Sequence, residues 1–84
     1  MSLLSENVIP GDLGKIFSTN AREQSDLERI KNRILSLKGI KDVKINHDVF
    51  PIELTIYTSA LVKINDIEDK VQITGFHAIP KKLI

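Results

Sequence analysis

The repeat of the apolar residues changes several times along this 84-residue chain, and the order of those changes limits the fold more than any other property. Lys15 to Thr19 alternates, with Phe17 and Thr19 on one side and Ile16 and Ser18 on the other, which is the period of a strand. From Ser25 the spacing lengthens, and Leu27, Ile30, Ile34 and Leu37 form one stripe along a helix. Ser25 followed by Glu28 reads as a capping box, Asp26 suits the positive end of the helix dipole, and Lys38 with Gly39 marks the stop. Alternation returns in Lys41 to Asn46, through Val43 and Ile45, and in Ile52 to Thr58, through Ile52, Leu54 and Ile56. The loop between them, Asn46 to Pro51, is too long for a two-residue turn. Ile64, Ile67 and Val71 predict a second helix over Ile64 to Thr74, closed by Gly75, whose β-branched content leaves it dependent on packing. Phe76 to Leu83 is the last strand, with Pro80 tolerable only near an edge.

The order β-α-β-β-α-β, with right-handed crossovers, predicts an α+β, ferredoxin-like sandwich. Its four-stranded antiparallel sheet has strand order 4-1-3-2, and both helices cover one face. Residues 1–14 read as an N-terminal arm with a Pro10-Gly11 turn, and residues 15–84 as the domain. Leu3, Leu4, Val8 and Ile9 in the arm are expected either to cover an edge strand or to reach a neighbouring chain.

So short a chain buries only about 60–65% of its surface on folding, so the core must come from its own side chains. Hydrophobic residues make up 42% of the composition, which suffices. There is no cysteine, which removes disulfides, thiolate metal sites and a cysteine nucleophile. The 12 Lys+Arg against 11 Asp+Glu leave a net charge of +1, too little for general binding to nucleic acid or a membrane surface. No apolar run spans a bilayer, and Met1 to Glu6 has neither the charged nor the apolar region of a signal peptide, so a cytoplasmic chain without membrane insertion is expected. No Ser-His-Asp set or Gly-rich phosphate loop is legible, so neither catalysis nor a cofactor is expected.

Several short runs point to a family. Phe17-Ser-Thr-Asn20, Leu27-x-x-Ile30, Leu37-Lys-Gly-Ile40-x-x-Val43-x-Ile45, Leu54-Thr-Ile56, and Ile67-x-x-x-Val71 leading to Gly75-Phe76-x-Ala78 resemble the heavy-metal-associated domain. That family includes small copper chaperones, the periplasmic mercury-binding protein and the N-terminal modules of metal-pumping ATPases. The likeness covers residues 15–80. It implies a Cys-x-x-Cys pair between the first strand and the first helix, where two soft thiolates take Cu(I). Counting back from Gly39 by the family's spacing puts that pair on Glu23 and Asp26, two hard carboxylates. The resemblance therefore implies the fold and the docking surfaces of a degenerate member, with its thiolate metal transfer gone.

Each candidate residue has a plainer explanation beside the functional one. Glu23 and Asp26 are candidates for a hard cation, but stabilising a helix N-terminus is the favoured account of them. His47 and His77 lie on or beside opposite edge strands and are not expected to share an ion. Phe76 occupies the position that packs beside the metal in the family, and is otherwise core. Charge segregates between the helices: the first presents Arg22, Arg29, Lys31 and Arg33, and the second Asp66, Glu68 and Asp69. In copper chaperones a basic first helix docks an acidic partner, so Arg22, Arg29, Arg33 and Phe76 form the candidate docking surface. Local i,i+3 pairing of Asp26 with Arg29 and of Glu28 with Lys31 is the competing account.

The expected function is a non-catalytic binding module with a protein partner or self-association. A membrane metal transporter is one such partner that the resemblance allows. Two alternatives stand beside it: weak metal binding, or a metal-homeostasis accessory, using Glu23 and Asp26; and a small-ligand regulatory domain acting as a dimer. Nucleic-acid binding is disfavoured, because the open sheet face would offer Ile16, Ser18, Glu53, Thr55 and Tyr57, a single aromatic and a carboxylate.

Overall fold

In the computed structural model, which describes residues 8–83, the elements follow the predicted order with two short strands added. They are β1 (Val8–Ile9), β2 (Gly14–Thr19), α1 (Gln24–Leu35), β3 (Ile40–Asn46), β4 (Glu53–Thr58), β5 (Val62–Lys63), α2 (Ile64–Ile73) and β6 (Ala78–Leu83). The main sheet is antiparallel with order β3-β4-β2-β6, which is 4-1-3-2 once β1 and β5 are set aside. The fold is a ferredoxin-like α+β sandwich.

Period-two alternation decides which side of each strand is covered. Phe17 and Thr19 of β2, Val43 of β3, and Leu54, Ile56 and Thr58 of β4 are buried. Leu27, Ile30 and Ile34 of α1 and Ile64, Ile67 and Val71 of α2 close over them as the predicted stripes. Each of the apolar side chains among them contributes about 1.5–3 kcal/mol by leaving water. Ile16, Ser18, Glu53, Thr55 and Tyr57 stay half-exposed on the open face. There Lys44 Nζ sits 6.0 Å from the Tyr57 ring centre and Lys81 Nζ sits 3.7 Å from Glu53 Oε2.

The short strands form a second, two-stranded sheet in which β1 pairs antiparallel with β5, Val8 opposite Lys63 and Ile9 opposite Val62. Ile9 is fully buried in the same core as Phe17 and Leu27. The segment from β1 to β2 is clamped to β4: Thr58 Oγ1 donates to the Pro10 carbonyl at 2.6 Å, and the Asp12 N–H donates to the Thr58 carbonyl at 2.9 Å. Residues 8 and 9 thus pack on their own domain through β5 and do not cover an edge strand of the main sheet, whose edges are β3 and β6; Leu3 and Leu4 lie outside the described residues.

Two local expectations are corrected. The capping box of Ser25 and Glu28 does not form. The helix begins two residues earlier, with Glu23 and not Ser25 as its N-cap, so Ser25 is already inside the first turn and Glu28 Oε2 instead accepts from Gln24 Nε2 at 2.9 Å. The helix also ends before Leu37: Ser36 is its C-cap, and Leu37 is half-buried in the turn leading to Gly39. Gly39 has φ +96°, and a Cβ there would lie 2.9 Å from Val62 Cγ2, so the turn requires glycine on two counts. Gly75, with φ +93°, closes α2 as expected. Among the described residues no helix is long and apolar enough to cross a membrane.

Candidate functional site

Three connections meet at one end of the sheet: residues 20–23 between β2 and α1, 47–52 between β3 and β4, and 74–77 between α2 and β6. This convergence follows from the topology, because β2 and α2 run out at the end where β3 turns back into β4. Polar contacts fasten the connections to one another. The Thr19 N–H donates to the Ile52 carbonyl at 2.9 Å, and the His77 N–H donates to Asn20 Oδ1 at 2.9 Å. The buried Ala21 donates its N–H to Thr19 Oγ1 at 3.3 Å, which turns the chain sharply out of β2 toward the helix.

The two positions that stand where the resemblance implies thiolates lie at this turn. Glu23 has extended backbone, φ −74° and ψ 140°, and its carbonyl accepts from the Leu27 N–H at 3.0 Å to open α1. Its carboxylate is exposed and caps nothing. Asp26, in the first turn, holds Arg29 in an ion pair of 2.7 Å. The expected second pair, Glu28 with Lys31, is not among the ion pairs of the described residues; Glu28 is engaged with Gln24.

The basic candidates separate by what they touch. Arg22 lays its guanidinium 5.0 Å from the ring centre of Phe50, a cation–π contact between two connections. Arg29 is committed to Asp26, and Arg33 stands exposed in the last turn of α1, where its charge complements the helix dipole. Phe76 is half-buried and packs against the core, so its ring supports the α2–β6 connection more than it offers surface. His47 and His77 are both exposed and lie on separate connections, and among the described residues no three His, Asp or Glu side chains group to hold a metal ion.

Between these connections lies a cleft of about 490 Å³ whose lining includes Asn20, Arg22, Phe50, Pro51, Glu68, Gln72, His77 and Ile79. Sequence reasoning named Arg22 but missed Phe50, which is 73% exposed. The available signal was an aromatic residue in the polar Asn46 to Pro51 loop, where no strand or helix stripe claims it. Asn20 was quoted only as part of a run, and its bond to His77 is invisible in the sequence because 57 residues separate the two.

No protein-family model and no curated protein matches the chain. Among solved structures the chain is similar to the copper(I)-loaded first domain of the human copper chaperone for SOD1. The TM-score is 0.71 at 17% identity, and the match covers 88% of this chain and 100% of that one. The likeness establishes that this chain shares the ferredoxin-like fold of a copper-chaperone domain.

Proposed function

We propose that this chain is a non-catalytic interaction module on a copper-chaperone-like scaffold that carries no thiolate metal site. The observation that supports this reading is the state of the two equivalent positions: Glu23 stands at the N-cap with its carboxylate exposed and making no capping bond, and Asp26 is tied to Arg29. A soft ion such as Cu(I) calls for sulfur ligands, and two carboxylates do not fit it. One carboxylate already neutralised by a guanidinium and one free in water are also a poor start for a hard divalent ion, which takes six or more oxygens. What the module offers instead is the loop end itself: Arg22 stacked on Phe50, with Arg29 and Arg33 along α1 and Phe76 behind them. This basic surface suits an acidic protein partner or the acidic α2 of a second copy, where Asp66 and Asp69 are exposed. The cytoplasm is the compartment proposed for it, and a membrane metal transporter is one candidate partner.

The test is a titration with Cu(I), Zn(II) and Ni(II) followed by amide 1H–15N spectra. The expected outcome is an essentially unchanged spectrum. Micromolar binding that maps to Glu23 and Asp26, and disappears in Glu23→Ala with Asp26→Ala, overturns the reading.

A further inference from the structure

We infer that the cleft at the loop end is a binding site for a small monocarboxylic acid with an apolar, ring-sized body. The inference rests on the reading that this end is the module's binding surface. The cleft volume of about 490 Å³ falls within the roughly 300–1,000 Å³ typical of small-molecule sites, which combine an apolar lining with a few converging polar groups. Phe50, Pro51 and Ile79 supply the apolar part, and Phe50 and Ile79 are among the most exposed large hydrophobics of the described residues. An apolar guest removes that surface from water.

The polar part is rich in donors. Arg22 has no carboxylate within ion-pair distance among the described residues, so its fork of N–H groups is held in place by the Phe50 ring while its charge is unpaired. Asn20 spends its carbonyl oxygen on the His77 backbone N–H, which leaves the two N–H of the amide for another acceptor. The His77 imidazole has at least one N–H donor in either protonation state. Three donors from two connections, one of them cationic, call for an anion, and a planar carboxylate matches the guanidinium fork. Glu68 sets the limit on charge: it lines the same cleft, and its repulsion grows with the negative charge of the guest, which favours a monoanion over phosphates and other polyanions.

The test uses 3-phenylpropionate as probe, with phenethylamine and inorganic phosphate as comparisons, followed by amide spectra of the natural chain and of Arg22→Gln. Arg22 is exposed, so this variant keeps the fold. The expected result is a saturable shift of Asn20, Arg22 and His77 with 3-phenylpropionate, weakened roughly tenfold or more in Arg22→Gln, and no such response to the amine or to phosphate. No saturable shift up to about 10 mM, an unchanged affinity in Arg22→Gln, or an equal response to phosphate overturns the inference. Failure of the metal-free reading shows elsewhere, as Cu(I)-induced shifts of Glu23 and Asp26, so the two failures are told apart by position.

Discussion

Replacing Ile9 by alanine should destabilise the domain by about 3 kcal/mol, although the residue belongs to a strand of two. Ile9 is fully buried and packs in the same cluster as Phe17 and Leu27. Alanine removes Cγ1, Cγ2 and Cδ1, which at about 0.8 kcal/mol per carbon is roughly 2.4 kcal/mol of lost transfer free energy. A cavity term raises this within the 2–5 kcal/mol found for such truncations, and the short β1–β5 ladder can partly collapse, which keeps it below the upper end. A domain of this size has a total stability of about 4–13 kcal/mol, so the loss is large. Urea unfolding reads it directly: with an m-value near 1 kcal/mol/M, the midpoint falls by about 3 M. Leu61→Ala is the control, since Leu61 is 61% exposed and its truncation should stay within about 0.5 kcal/mol. If Ile9→Ala moves the midpoint by no more than Leu61→Ala does, β1 is not part of the core and the reasoning fails.

Other outcomes follow from the same contacts. Thr58→Val leaves the Pro10 carbonyl without its 2.6 Å donor, and urea unfolding should register a loss of about 1–3 kcal/mol. Gly75→Ala meets only the cost of positive φ, about 1–2 kcal/mol, because nothing lies within 4 Å of the added carbon; Gly39→Ala adds a 2.9 Å clash with Val62 and should cost measurably more in the same assay. Asp26→Asn breaks an exposed i,i+3 ion pair and should change stability by less than about 0.5 kcal/mol, with the remainder vanishing in high salt.

Elements whose period repeats over several residues were legible in the sequence. The stripes of α1 and α2 and the alternation of β2, β3 and β4 each have one covered side, and their order left few topologies. β1 and β5 were not legible, because two residues carry no period and Val62–Lys63 runs straight into α2. The capping box failed for a different reason: the motif fits any Ser-x-x-Glu, and the chain leaves β2 by a turn at Ala21 that brings Glu23 to the cap first. At the loop end, the spacing of the resemblance singled out Glu23 and Asp26, and the charge pattern put Arg22 on the first helix, whereas Arg22 lies with Glu23 on the connection before α1 and Asp26 in its first turn. The contacts of Arg22 with Phe50 and of Asn20 with His77 join separate connections, and only the folded sheet brings those together.

The central claim is that the scaffold is that of a metal-chaperone domain while the chemistry at Glu23 and Asp26 is not. Competition for Cu(I) against a coloured chelator, run side by side on the natural chain and on the Glu23→Cys, Asp26→Cys variant, tests it most directly. The account predicts that the natural chain leaves the copper on the chelator and that the double variant removes it, since the turn already presents both positions at the start of α1. Copper uptake by the natural chain equal to that of the double variant would contradict it.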